Sequence, residues 1–569
     1  MNKTSLLILS LAAFAASNAS AQVKELAKSK DWHSSQISHV LLISVDGMHA
    51  VDFQNCSQGL AKVNSGSPYC PNIASLATTG VNYVAASASK PSDSFPGLMS
   101  IVSGATPRSM GVYYDVAYDR SLSAPAKATG NGVASGPCTP YGFPTGTTTE
   151  YEEGIDIDQS QLNGGAPGAG LTEGTVASID PKRLPRDPKA GCAPVWPWNF
   201  VRVNTIFGVI HNSGGYVAWA DKHPAYSSVA GQDGVGVLDD FYAPEINSNV
   251  IGLPGVSTPT GVSCATIRDT AADNSSWTNS FQNVQCYDTL KVNAILNQIG
   301  GMTHNGKAGK VPTLFGMNFQ SVSVGQKLIE KAISTKGGYL DGIGTPSAAL
   351  LSEIQYVDDS IGQMINAIKD NGLYDSTLII ITAKHGQSPI DPALWNPILK
   401  TGTSPATLLA SDLPYSENPN NPTGIGPTED DVSLIWLKRG ANLAADVATL
   451  ESNAAAIGLG QIYSGPTLAM NYNKPGYAPN GDPRTPDIIV TPNVGVTYTG
   501  SSKKQEEHGG FSHDDTNVIL LLSNPGLWSK TVYSSVGTNQ VAPTILSVLG
   551  LNPNSLDGVR LDGTQVLPK

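Results

Sequence analysis

The chain has 569 residues, with 46 acidic against 34 basic side chains and a net charge of −12. That length exceeds one small domain and suits a large core with insertions. The acidic balance excludes general nucleic-acid binding, which depends on Lys and Arg neutralising phosphates, but not a small anionic substrate, which feels the local field of its pocket.

Residues 1–21 read as an export leader. Lys3 supplies the positive start, Leu6 to Ala16 a short apolar run, and Ala19-Ser20-Ala21 a small-residue cleavage site before Gln22. The run is too short to span a bilayer, and no later stretch reaches spanning length. The mature chain, 22–569, is therefore expected to be periplasmic or secreted, without a membrane span. Its six cysteines, an even number, favour disulfides in that compartment. Nearest-neighbour pairing (56–70, 138–192, 264–286) is preferred, and no C-x-x-C supports a thiolate zinc site.

In chain order, "HVLLISVD" (His39–Asp46) predicts a buried, parallel strand ending at an acid. "KPSDSFPGLMSIVSGATPRSMG" (Lys90–Gly111) places Ser94 before an apolar stretch with small residues. Ser121 to Pro197 is rich in Gly, Pro, Ser and Thr and reads as loops, so 121–310 is expected to be a loop-rich insertion or cap. Within it, Asn204–Tyr226 predicts a helix, a Gly-Gly turn and a strand ending at Asp221. The "DKHP" that follows is either part of a pocket or an ordinary polar strand end. Leu350, Ile354, Val357, Ile361, Ile365 and Ile368 recur at helical spacing, and Asn371-Gly372 closes that helix. "STLIIITAKHG" is a second buried strand, ending at Lys384-His385. Thr401 to Asp430 is again loop-rich. "TNVILLLSNP" and "APTILSVLGL" predict a strand and a helix. The fold class is α/β, a central and mostly parallel sheet flanked by helices. In such sheets ligands bind outside the carboxyl ends of the strands, where Asp46 and Lys384-His385 fall and which His508 could reach through its loop.

Several motifs have bland readings. "GMTHNGKA" (Gly301–Ala308) lacks the Ser/Thr of a P-loop and a following helix pattern. "DIDQS" (Asp156–Ser160) lacks the Gly and Glu of a calcium loop. No G-x-S-x-G elbow occurs. His33, His39 and His304 are read as ordinary histidines. His385 and His508 differ because each precedes a glycine, which lets backbone approach a site closely. His513 is either a ligand or a turn residue.

Taken together, "HVLLISVDGM", "SDSFPGLMSIVSGATPRSMGV", "DSTLIIITAKHG", "EEHGGFSHDDTNV" and "APTILSVLGLNP" resemble, in order, the alkaline phosphatase superfamily, and most closely its type I phosphodiesterase/nucleotide pyrophosphatase branch. The resemblance covers about 38–120, 310–390 and 505–569. It implies Ser94 as a metal-bound nucleophile and Asp46, His385 and His508 as metal ligands. Three departures accompany it. The family's Asp-His-Gly reads Lys384-His385-Gly386. Its Asp-x-x-x-His pair should fall in Phe315–Lys327, where neither Asp nor His occurs. The Asn that helps hold the phosphoryl group falls on Asp115.

A two-metal site cannot be assembled from matching positions. The expectation is one divalent ion, zinc by ligand type, held by Asp46, Ser94, His385 and His508, with Lys384 as a fixed charge in place of a second. The expected activity is hydrolysis of a small phosphate ester, of diester or nucleotide type, through a phosphoseryl intermediate. Sulfate or phosphonate esters are the alternative chemistry. An inactive or ligand-binding scaffold that has lost its metals is the rival function. Substrate identity and oligomeric state stay open.

Overall fold

The computed structural model describes residues 37–152, 154–156, 174–248, 250, 252–270, 276–399, 402–499, 501 and 504–568. The expected leader (1–21), His33 and residues 157–160 of the acidic stretch lie outside them.

Eight strands form the central sheet. In chain order they are β1 (His39–Val45), β2 (Gly80–Tyr83), β3 (Ala218–Ala220), β4 (Asp240–Tyr242), β5 (Leu314–Phe319), β6 (Thr377–Thr382), β7 (Leu521–Ser523) and β8 (Lys530–Val532). Their spatial order is β8-β2-β7-β6-β1-β5-β3-β4. β6, β1, β5, β3 and β4 run parallel, and β7 is antiparallel to both its neighbours. The mostly parallel sheet expected from the sequence is thus present.

The apolar run of β1 follows from its place at the centre. Val40 and Leu42 join the core on one face with Leu98, Met99, Ile545 and Leu546. Leu41, Ile43 and Val45 join the other with Leu290, Ile354, Val357 and Ile361. Alternate side chains of a strand point to opposite faces, so a strand covered on both sides must be apolar throughout. The first face carries helices α1 (Ser94–Ser103) and α5 (Val541–Val548); the second carries α2 (Phe281–Ile299) and α4 (Ala348–Asp370), with α3 (Ser321–Lys327) following β5. The six apolar positions that predicted α4 are all buried.

The expectation for 121–310 needs correction. Strands β3 and β4 and helix α2 belong to the sheet and its helical layer, so only part of the segment is added to the scaffold. The helix and strand expected within it are present, over Ile206–Asn212 and Ala218–Ala220. A separate four-stranded antiparallel sheet, Thr428–Glu429, Ser433–Ile435, Ile488–Pro492 and Leu459–Ser464, went unread in the sequence. Disulfides join Cys56–Cys70, Cys138–Cys192 and Cys264–Cys286, the expected pairing. Among the described residues no helix is long and apolar enough to cross a membrane.

Candidate active site

Strand register builds the site. Ser44 of β1 lies beside Asn318 of β5 and Thr382 of β6. The residues just past these positions therefore meet at the carboxyl edge: Asp46, Gln320 and Lys384-His385. Asp46 is buried, and its Oδ2 accepts from Gln320 Nε2 at 2.6 Å and Asn318 Nδ2 at 3.2 Å. Neither amide was singled out in the sequence. Their signal was the empty place of the Asp-x-x-x-His pair.

Ser94 is the first residue of α1, and Asp93 caps that helix by accepting from Phe95 N. One turn on, Gly97 lies against the backbone of Lys384; a Cβ there would fall 2.2 Å from the Lys384 carbonyl oxygen. Positions i and i+3 share a helix face, so this close approach brings Ser94 onto the end of β6. Ser94 Oγ lies 3.2 Å from His385 Nε2. His385 Nδ1 is 2.8 Å from the Gly386 carbonyl, which can only accept. Nδ1 therefore carries the proton and Nε2 accepts from Ser94. Burial, then the neighbouring His508, push the His385 imidazole down to about 4, so it is neutral at pH 7.

His508 stacks on His385 with ring centres 3.9 Å apart, and its Nε2 is 3.5 Å from Asp93 Oδ1. It reaches this edge because β7 is antiparallel, so the chain leading into β7 starts where the parallel strands end. Asp46 Oδ2 is 3.7 Å from His385 Nε2. The structure thus brings Asp46, Ser94, His385 and His508 together. It does not add His513, which is exposed on a one-turn helix, His513–Thr516, and is not among the cavity-lining residues.

Two lysines complete the cluster, Lys384 buried and Lys222 half-buried. Lys222, just past β3, donates from Nζ to Ser94 Oγ at 2.9 Å and lies 3.9 Å from Asp46 Oδ2. Lys384 is fully buried, donates to Asp221 Oδ1 at 2.8 Å, and has its Nζ 4.4 Å from the centre of the Tyr226 ring. Lys384 does not face solvent, but it is locked to Asp221; the ammonium that touches Ser94 is that of Lys222, from "DKHP". Burial alone would raise the Asp46 carboxyl, yet Lys384, then His385 and last Lys222 hold it well below the usual carboxylate range. Burial would lower Lys222, but Asp46 and Asp115 outweigh it and raise its ammonium.

Asp115 donates its backbone N–H to Asp93 Oδ2 at 2.9 Å, and its carboxyl accepts from Tyr226 Oη at 3.2 Å. Burial, then the charge of Asp93, push it up to about 7. Beside these residues lies a cavity of about 540 Å³, lined among others by Asp115, Lys222, Asn279, Lys327, Lys504 and His508; the fully buried Ser94 is not among its lining residues, but Lys222, which bonds it, is. Burial and Lys504 bring the Lys327 ammonium down to about 8. The lining carries six carboxyl side chains, Asp93, Asp115, Glu152, Glu429, Asp430 and Glu507, as well as the three lysines, so a small anion would be favoured only at the lysine side.

The donor set does not fit a divalent ion. Asp46 Oδ1 is buried without a hydrogen-bond partner, and a cation would satisfy it. Against that, Oδ2 is engaged by two amides and Ser94 Oγ by an ammonium. At about 4 Å and an effective dielectric of about 20, an ammonium repels a divalent ion by about 8 kcal/mol. Among the described residues no group of three or more His, Cys, Asp or Glu side chains is placed to hold a metal.

No curated protein sequence matches the chain. Among solved structures, murine ectonucleotide pyrophosphatase/phosphodiesterase 5 matches with a TM-score of 0.51 at 13% identity, over 90% of this chain and 96% of that one. An inactive variant of the murine protein in complex with AMP matches with the same TM-score and identity, over 91% and 96%. At this identity the likeness is one of fold. The type I phosphodiesterase/nucleotide pyrophosphatase family matches residues 40–136 and 217–515, more than half of the sequence. The chain therefore belongs to the type I phosphodiesterase/nucleotide pyrophosphatase family, a family of phosphoric ester hydrolases.

Proposed function

We propose that the chain is exported and hydrolyses a small phosphoric diester of nucleotide type, with Ser94 as the nucleophile. The observation that carries this reading is the position of Ser94 Oγ, between His385 Nε2 at 3.2 Å and Lys222 Nζ at 2.9 Å. A hydroxyl on a neutral imidazole has a base for its proton, and a nearby ammonium favours the oxyanion that attacks. The start of α1 adds a helix N-terminus, which favours a phosphate. AMP in the murine neighbour's complex and a cavity of about 540 Å³ support a nucleotide-sized ester. Asp115, raised to about 7, would keep a proton through much of the neutral range and so tolerate an anion beside it.

The family is generally metal-dependent. The single ion expected at Asp46, Ser94, His385 and His508 is left out of this reading because the donor set does not fit it. Three disulfides and the sequence of residues 1–21 support export, and the mature chain should begin at Gln22.

The test is turnover of a chromogenic phosphodiester, phosphomonoester and sulfate ester by the full chain and by Ser94→Ala. Diester turnover that disappears in Ser94→Ala is expected. Equal rates in both proteins, or preference for the sulfate ester, would overturn the reading. No turnover of any ester would favour the inactive scaffold.

A further inference from the structure

We propose that the ammonium of Lys222 stands where a relative would place a divalent ion at the nucleophile, so that Ser94 is activated by His385 and Lys222 without a resident metal. This rests on the hydrolase reading and goes beyond it by assigning the source of positive charge.

Three observations converge. First, the strand-end positions that should carry acids for metal binding carry other groups. Lys384 follows β6 where an Asp is expected, and Gln320 follows β5 where the sequence lacks the Asp-x-x-x-His pair. Second, the substitutes bond one another. Gln320 and Asn318 donate to Asp46, and Lys384 is paired with Asp221. At the strand ends Asp46 is held by the two amides with Lys222 beside it, and Asp221 is paired with Lys384. Third, Lys222 is fixed at Ser94 Oγ by its neighbours. It follows Asp221 directly in the chain, its backbone N–H donates to Asp221 Oδ1, and Asp221 is itself held by Trp219 Nε1 and Lys384. Asp221 and Lys384 are thus positioning residues, and Lys222 touches the reacting atom.

The reaction balances without an ion. The Ser94 Oγ–H proton passes to His385 Nε2 as the Oγ–P bond forms and the bond from phosphorus to the leaving oxygen breaks. The leaving oxygen takes a proton from solvent. Water then attacks phosphorus and returns a proton to solvent. The P–Oγ bond breaks, and His385, neutral again after releasing the first proton to solvent, relays a proton from solvent back to Ser94 Oγ. The Lys222 ammonium stays charged throughout and stabilises the oxyanion at Oγ in both steps.

The experiment is elemental analysis of the full chain after incubation with zinc and gel filtration, paired with diester turnover before and after a chelator. No stoichiometric metal and unchanged Ser94-dependent turnover are expected. Lys222→Ala should lower kcat by about 100-fold with little change in KM, and Lys222→Arg should recover part of the loss; thermal melts confirm that both variants fold. One zinc per chain, with turnover abolished by chelator and restored by zinc, would overturn the proposal and leave the hydrolase reading intact. If no ester is turned over, the hydrolase reading fails and the activation of Ser94 by Lys222 falls with it, whatever the metal content.

Discussion

The buried cluster around Ser94, here the floor, and the loop-borne lining of the neighbouring cavity, here the rim, are built by different rules. Asp46, Ser94, Lys384 and His385 lie at the ends of β1 and β6 and the start of α1, each at most 1% exposed. They are fixed by sheet register and by the contact of Gly97 with the Lys384 backbone. The rim takes Asn131, Asn279 and Lys504 from loops far apart in the chain. Packing dictates where the floor's chemistry sits. Loop residues can vary without disturbing the sheet, so on the proposed reading reaction type would rest on the floor and substrate preference on the rim.

Substitutions on the two sides should separate in the same way. The largest effect is expected at Ser94→Ala, which should lower kcat by about 10⁴-fold or more while leaving the melting temperature almost unchanged. Comparable loss of stability and activity would mean that Ser94 is only a packing residue. Next is Lys384→Ala. It leaves Asp221 charged, buried and without its ammonium partner, which costs about 3–5 kcal/mol, measured by urea unfolding. Lys384→Met with Asp221→Asn should recover much of that.

The third test falls outside the cavity lining, where buried Glu417 accepts from Thr148 Oγ1. Burial raises its carboxyl to about 7, against about 4.3 for an unfolded chain. Between those values the folded state holds a proton that the unfolded state has lost, so this residue's contribution falls as pH rises. Glu417→Gln should therefore be more stable than the parent at pH 8, by up to about 3 kcal/mol, and nearly equal at pH 4. A constant difference across that range would contradict the assignment. The smallest effect is expected at Asn279→Ala. It should raise KM a few-fold, about 1 kcal/mol, and leave kcat alone. A fall in kcat instead would move this rim residue into the reaction.

The same division explains what the sequence disclosed. The buried parallel strands announce themselves as unbroken apolar runs, and the residue that ends each run is placed at the sheet edge by the fold class alone. Asp46, His385 and the six apolar positions of α4 were legible for that reason. Lys222 was harder. It sits in a stretch expected to belong to an insertion, and only the pairing of β3 with β5 carries it to the edge beside Ser94. Gln320 and Asn318 showed up only as a missing pair, because an amide in place of a carboxylate carries no pattern of its own. The second sheet was missed because three of its strands are five residues or fewer and interrupted by Gly- and Pro-rich loops, so no long periodic run marks it.

The central claim is that Ser94 attacks phosphorus, and the most direct measurement is a rapid acid quench during turnover of a diester, followed by peptide mass spectrometry. A phosphoryl adduct on the peptide containing Ser94, absent from Ser94→Ala, is the expected result. Diester turnover that continues in Ser94→Ala, with no adduct on that peptide in the parent, would contradict it.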